Sequence, residues 1–132
     1  MEVAPMNIAI LMMQKNEDEL LGKWIAYHSY LVGHQNLFIY DNGSTSERTL
    51  EALSEAKAAG INVITEFASK QDYENRGQIF ANRIKELDKL GAYDFYMLID
   101  CDEYLACVDE EGVVSCDRMA LQHSLKPLIN RD

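Results

Sequence analysis

The sequence predicts an α/β protein in which helices cover both faces of a mainly parallel sheet, giving three layers (α/β/α). Two observations support this fold class. Short apolar runs, typical of buried strands, alternate along the chain with longer segments of helical periodicity. The resulting order β-α-β-α-β-α-β implies parallel strands joined by right-handed crossovers. We expect the four strands to lie in the spatial order 3-2-1-4.

The first predicted strand is the continuous apolar run at residues 8–13, which suits a strand buried on both faces. Asn16 is then predicted to cap a helix, with Glu19 three residues later completing a capping box. Apolar residues follow at helical spacing as far as Leu31, and Gly33 is a suitable C-cap.

The second and third predicted strands span residues 36–40 and 61–65. Between them, residues 41–46 have the composition of a turn. Residues 47–59 are rich in Ala, Glu and Leu, which favour a helix, and Gly60 is placed to end it.

The fourth predicted strand, residues 93–99, leads directly into the acidic segment at residues 100–103. Before this strand, the polar residues 69–76 are expected to form a loop that enters an amphipathic helix closed by Gly91. The chain beyond the acidic segment suits a hairpin and a short, weakly helical tail.

Cysteine usage indicates reduced thiols, because the three cysteines are odd in number and contain no Cys-x-x-Cys pair. A bridge between Cys107 and Cys116 across the predicted hairpin, residues 104–108 and 113–115, is the alternative.

The composition limits the class of partner. A formal net charge of −10 over 132 residues disfavours nucleic acid and anionic lipid as partners. No run approaches the roughly 20 apolar residues of a membrane span. Residues 8–13 are too short for a secretory signal and lack a basic flank. We therefore expect a single cytoplasmic domain that covers residues 1–132.

Asp100 and Asp102 are the first candidates for a functional site. Ligands of open α/β sheets bind beyond the carboxyl ends of the strands, where these residues fall. The two carboxylates are expected to leave the strand pointing the same way, because strand side chains alternate. Such a pair is a hard oxygen site for Mn²⁺ or Mg²⁺, which would offset the charge of a diphosphate. A solvated acidic turn is the alternative.

Other strand exits carry polar candidates with simpler alternatives. Asp41 suits hydrogen bonds from a nucleobase or a ribose, or only the turn and the cap of the next helix. Glu17 begins the first helix, where the helix dipole also accounts for it. Arg76, followed closely by Gln78, suits phosphate contacts or a surface helix start. No Gly-x-Gly-x-x-Gly or Walker-type loop follows the first strand, which disfavours dinucleotide and P-loop chemistry.

Three motifs, each at or after a predicted strand, occur in a fixed order. They are Lys15-Asn16-Glu17 with Trp24 and His28 in the helix behind it, Phe38-Ile-Tyr-Asp41-Asn-Gly-Ser44, and Leu98-Ile-Asp100-Cys-Asp102-Glu-Tyr-Leu105. Together they resemble the glycosyltransferase family 2 and family 92 group over about residues 7–106. The resemblance implies a GT-A fold (nucleotide-diphospho-sugar transferase-like) and its nucleotide-sugar-binding part.

The resemblance also implies a role for each candidate residue. Asp41 would contact the nucleoside, with uridine the first choice, and Glu17 would lie near the same base or ribose. Asp100 would contact ribose or metal, and Asp102 would be the principal ligand of Mn²⁺ or Mg²⁺. An acceptor hydroxyl would then attack the anomeric carbon while the metal-bound nucleoside diphosphate leaves.

Arg76 and Gln78 match a less strict part of the family pattern, which implies contacts with the diphosphate. Members of this group usually continue well beyond the equivalent of Asp132, with contacts for the acceptor and, in inverting enzymes, a catalytic carboxylate. The resemblance therefore implies a chain truncated at its C-terminus, with a naturally short protein as the alternative. Apolar surface exposed by truncation would promote a homo-oligomer.

Two other functional classes stay open. A nucleotide-binding or assembly module without catalysis would use the same nucleotide-binding residues. An aspartate-based phosphotransfer domain would use a strand-end aspartate as an acyl-phosphate nucleophile. Against the phosphotransfer class, Tyr104 stands where the haloacid-dehalogenase pattern has Thr or Val, and the acidic residues are in the wrong order for a receiver domain.

Overall fold

A computed structural model describes residues 6–129 and confirms the α/β architecture. Its main sheet has four parallel strands in the order β3-β2-β1-β4, as predicted. The strands are β1 (Ile8–Gln14), β2 (Leu37–Asp41), β3 (Asn62–Ile64) and β4 (Phe95–Leu98). Residues 1–5 and 130–132, which the predicted domain includes, lie outside the described residues.

Helices connect the strands, and a small hairpin follows the sheet. The helices are α1 (Leu21–Val32), α2 (Glu47–Ala58), α3 (Lys70–Glu74), α4 (Arg76–Lys89) and α5 (Arg118–Leu125), with 3₁₀ turns at His34–Asn36 and Lys126–Leu128. The predicted hairpin is confirmed as an antiparallel pair, β5 (Cys107–Val108) and β6 (Val114–Ser115). Within residues 6–129, no helix has both the length and the apolar character that crossing a membrane requires.

The central strand β1 is buried on both faces because its side chains alternate between two apolar clusters. Alternate residues beginning at Ile8 pack with α1, α2 and α5 around the fully buried Trp24. Alternate residues beginning at Ala9 pack against Phe80 of α4. Helices therefore flank the sheet on both faces, and the carboxyl ends of its strands meet at one edge.

The capping box predicted at Asn16 and Glu19 is wrong. Helix α1 begins only at Leu21, and its N-cap residue makes no capping hydrogen bond through its side chain. Asn16 has a φ of 55°, in the left-handed region that asparagine tolerates better than most residues. Its side-chain Oδ1 accepts hydrogen bonds from the backbone N–H groups of Thr45 and Ser46 at 2.8 and 2.9 Å. Asn16 therefore joins the loop after β1 to the loop after β2.

The loop predicted at residues 69–76 is largely helical, because Lys70–Glu74 forms α3. A capping box starts this helix at Ser69. The Ser69 hydroxyl accepts from the Asp72 N–H at 3.0 Å, and the Asp72 carboxylate accepts from the Ser69 N–H at 3.2 Å. The segment has no apolar periodicity, so the hydrophobic pattern gave no sign of a helix.

The alternative of a disulfide across the hairpin is wrong. Cys107 is a buried free thiol and Cys116 is an exposed one. Cys101, the third cysteine, is also a buried free thiol and lies within the acidic segment.

Candidate functional site

A cleft of about 600 Å³ opens at the carboxyl edge of the sheet. Parallel pairing of β1 with both β2 and β4 brings the exits of these three strands together. Helix α3 adds two side chains to the wall. The lining residues are Met13, Gln14, Lys15, Glu17, Leu20, Asn42, Lys70, Tyr73, Asp100, Cys101 and Asp102. Three predicted site residues, Glu17, Asp100 and Asp102, therefore share one cleft.

Residues 100–103 form a turn after β4, which we name the acidic turn. The Glu103 N–H donates to the Asp100 carbonyl at 2.9 Å, and the Asp100 N–H donates to the Glu103 carboxylate at 2.9 Å. Strand β4 ends at Leu98, so the expectation of an extended chain through Asp102 is wrong. Both aspartates line the cleft because the turn places them there, not because strand side chains alternate.

The acidic turn supplies three carboxylates at metal-binding spacing. One oxygen from each of Asp100, Asp102 and Glu103 lies within 4.8 Å of the others, and all three residues are exposed. Hard divalent cations take such oxygen ligands and complete their shell with water or phosphate oxygens. Glu103 was missed from the sequence, although a turn that closes between positions i and i+3 would have brought it in.

Two lysines share the cleft with these carboxylates, and neither was predicted. Lys15 directly follows β1, and Lys70 is the first residue of α3. A cleft lined by both charges suits a ligand that carries an anion together with a cation. The position of Lys15 right after a buried strand was a signal in the sequence, whereas the position of Lys70 depended on the unpredicted helix.

Asp41 lies at the end of β2 and is 5% exposed. Its carboxylate accepts from the Gln14 side-chain amide at 3.1 Å and from the Ser44 N–H at 3.3 Å, and it also accepts from the Ser44 hydroxyl. Asp41 does not line the cleft, but its neighbour Asn42 does. These contacts fit the alternative in which Asp41 only stabilises a turn. The N-cap residue of α2, however, is Ser46 and not Asp41.

Arg76 and Gln78 lie at the start of α4, and neither lines the cleft. The Arg76 guanidinium lies 4.3 Å from the centroid of the Tyr73 ring and donates to the Tyr73 carbonyl at 2.9 Å. The Gln78 side chain donates to Asn82 at 2.8 Å along the same helix. Tyr73 itself lines the cleft, so the contact of Arg76 with the site is indirect and passes through this ring.

Cys101 lines the cleft between the two aspartates, but its thiol is unreactive. Burial raises the pKa of its thiol to about 12, and the carboxylates of Glu17, Asp102 and Asp100 add to the shift. A thiol that stays protonated at neutral pH is neither a nucleophile nor a good metal ligand. The reactive groups of the cleft are therefore its carboxylates and ammonium groups.

Comparison of the chain with protein-family models, curated proteins and solved structures finds no match in any of the three. The three ordered motifs of the sequence therefore remain the only basis for the resemblance to a family. The features that bear on function are the cleft, the acidic turn and the two lysines that line the same cleft.

Proposed function

We propose that the chain binds a nucleoside diphosphate sugar, a UDP-sugar first, through Mn²⁺ or Mg²⁺ held at Asp100 and Asp102, for sugar transfer to an acceptor hydroxyl. The fold that goes with this proposal is GT-A. The observation that carries it is the convergence of the acidic turn and two lysines on one cleft at the carboxyl edge of a parallel sheet. Ligands of such sheets bind at this edge.

The charges of the cleft match a metal–diphosphate pair. Two like unit charges 4 Å apart repel by about 4 kcal/mol at an effective dielectric constant of about 20, so the acidic turn alone disfavours a diphosphate. A divalent cation bound between them reverses this interaction and would neutralise charge on the leaving diphosphate. Lys15 and Lys70, which line the same cleft, add donors for phosphate oxygens.

The aromatic part of the cleft lining suits a nucleoside. The Tyr73 ring, backed by Arg76, offers a flat aromatic surface on which a base can stack. The Asn42 side chain donates to the carbonyls of Phe67 and Ser69 at 2.7 and 2.8 Å, which fixes the loop leading to this ring. In this proposal Asp41 acts on the nucleoside by holding the loop that carries Asn42, and Glu17 borders the base or ribose.

Calorimetric titration with UDP, with and without Mn²⁺, tests the proposal. We expect Mn²⁺ to tighten UDP binding at least about tenfold, equivalent to about 1.4 kcal/mol. Asp102→Asn should abolish this gain. Asp88→Asn is the matched control, because Asp88 is an exposed aspartate on α4 whose carboxylate accepts no hydrogen bond from the described residues.

No heat at millimolar UDP in either condition would contradict the proposal, and so would equal affinities for Asp102→Asn and Asp88→Asn. Labelling by beryllofluoride in place of UDP binding would favour the phosphotransfer class instead. If UDP binds, turnover of a UDP-sugar separates a transferase from a binding module. A cytoplasmic location belongs to the same proposal and is supported by the three free cysteines.

A further inference from the structure

Two consecutive side chains of α1 hold both backbone polar groups of Leu105, the second residue after the acidic turn. The Tyr27 hydroxyl donates to the Leu105 carbonyl at 2.6 Å. The Leu105 N–H donates to His28 Nε2 at 3.2 Å, across a sequence separation of 77 residues. Leu105 lies outside the strands and helices, so no neighbouring strand pairs with its backbone N–H and C=O groups. The side chains of Tyr27 and His28 provide these hydrogen bonds instead.

The His28 ring is fixed in one tautomer. Its Nδ1 lies 2.9 Å from the Trp24 carbonyl, which can only accept, so Nδ1 carries the proton. Nε2 is then left with a lone pair for the Leu105 N–H. Aromatic rings pack against the imidazole, with centroids 4.5 Å away for Trp24 and 5.8 Å away for Tyr104. The ring is fully buried and has no room to turn.

Tyr27 is an equally constrained donor. Burial raises its pKa to about 12, so the phenol keeps its proton at neutral pH. Its ring meets Tyr104 edge-on, with the centroids 5.0 Å apart. Tyr27 and His28 thus contact both residues that directly follow the acidic turn.

The acidic turn is consequently anchored at both ends. On its N-terminal side, the Ile99 N–H donates to the Leu11 carbonyl at 3.3 Å, at the end of β4 in the sheet. On its C-terminal side the anchor is Leu105, held by α1. Three exposed carboxylates repel one another, and a free loop would relieve this by spreading them apart.

We propose that Tyr27 and His28 are positioning residues for the acidic turn, which keep its three carboxylates arranged for one divalent cation. This inference rests on the proposed metal site at Asp100 and Asp102. Neither residue touches the cation site. Both act through Leu105. Residues that hydrogen-bond a metal ligand directly change metal affinity about 10- to 100-fold when they are removed, and the lower end is expected here because the effect passes through Leu105.

Tyr27→Phe is the main test, because it removes one hydroxyl and keeps the ring. Tyr30→Phe is the matched control on the same helix, since Tyr30 is 60% exposed and its hydroxyl lies 3.5 Å from Asp117. Mn²⁺ affinity of the full chain is measured from free Mn²⁺ by electron paramagnetic resonance. Tyr27→Phe should weaken it about tenfold, with only a small shift of the urea midpoint, while Tyr30→Phe matches the wild type.

Amide hydrogen exchange gives a second readout that does not depend on metal. In Tyr27→Phe, and more strongly in His28→Leu, the amides of Glu103 and Leu105 should exchange faster than in the wild type, while those of β1 stay protected. His28→Leu is used only if its circular dichroism matches that of the wild type. The Tyr27→Phe result stands without it.

The outcomes separate the two proposals. If the wild type binds Mn²⁺ and Asp102→Asn does not, but Tyr27→Phe binds as tightly as Tyr30→Phe, the positioning role is overturned and the metal site stands. If the wild type binds no Mn²⁺, the proposed function fails, and exchange decides whether α1 holds the turn. Unchanged exchange at Glu103 and Leu105 in Tyr27→Phe would then overturn the positioning role as well.

Discussion

Two strand exits of the sheet carry aspartates and use them in opposite ways. At the exit of β2, Asp41 is buried and its carboxylate accepts from Gln14 and Ser44. At the exit of β4, Asp100 and Asp102 are exposed and face a cleft. A carboxylate whose acceptor positions are filled from within the chain builds structure, whereas one that faces an open cleft is available to a ligand. The comparison predicts that the β2 exit governs stability and the acidic turn governs binding.

The largest effect on stability is expected at Gly43, in the loop after β2. Its φ is 82°, and a Cβ there would lie 2.8 Å from the Ala68 carbonyl oxygen. Gly112 has almost the same φ, 83°, but a Cβ there would meet nothing within 4 Å. Gly43→Ala should lower the free energy of unfolding by about 3 kcal/mol, combining the left-handed strain with the clash. Gly112→Ala should lower it by only about 1 kcal/mol.

Urea denaturation of the two alanine variants checks this prediction. The difference between them isolates the close approach of the loop after β2 to the loop after β3. Equal losses would mean that the contact between Gly43 and Ala68 does not constrain the loop after β2. The β2 exit would then not be the structural one of the two strand exits.

The next effect compares the aspartates directly. Asp41→Ala leaves the Gln14 amide and the Ser44 N–H without their acceptor and should lower the free energy of unfolding by about 2 kcal/mol. Asp102→Asn, on the exposed acidic turn, should change it by less than about 0.5 kcal/mol. Thermal and urea unfolding without metal measure both. A loss for Asp102→Asn as large as that for Asp41→Ala would break the division between a structural and a binding aspartate.

Much of the fold could be predicted from the sequence because burial dominates it. The apolar run at residues 8–13 has no polar face, so a strand covered on both sides was the consistent interpretation, and the order of the four strands is confirmed. Gly33 and Gly60 were correctly placed after α1 and α2, and both have positive φ. These features depend on local pattern and on chain topology.

The rest of the site depended on contacts between distant residues. Asn16 was assigned to a cap because its partners Thr45 and Ser46, about 30 residues away, are invisible to a local pattern. Glu103 was missed because the argument for Asp100 and Asp102 assumed an extended chain where the structure has a turn. Local periodicity cannot report such geometry, because it contains no information on where the chain folds back.

The smallest expected effect is a pH dependence that originates behind the acidic turn, at His28. Burial lowers the pKa of this imidazole below its ordinary 6.5, and the hydrogen bond to Trp24 only partly offsets the shift. The side chains that pack against the imidazole are the aromatic rings of Trp24, Tyr27 and Tyr104. Well above pH 6.5 the imidazole is neutral in both the folded and the unfolded chain, so its contribution to stability is complete.

As the pH falls below 6.5, the unfolded chain takes up a proton at His28 that the folded chain does not, so the free energy of unfolding decreases. The slope from one histidine is at most about 1.4 kcal/mol per pH unit, and it ends at the lowered pKa of the folded state. The free energies of unfolding measured in urea at pH 7.5 and pH 5.5 should therefore differ more for the wild type than for His28→Gln. His34→Gln, at an exposed histidine, is the matched control and should keep the wild-type difference between the two pH values.

If His28→Gln also kept the wild-type difference, the His28 imidazole would not be the group that titrates. Its hydrogen bond to Leu105 would then survive at low pH. Loss of that bond in acid would instead make the anchoring of the acidic turn at Leu105 depend on pH.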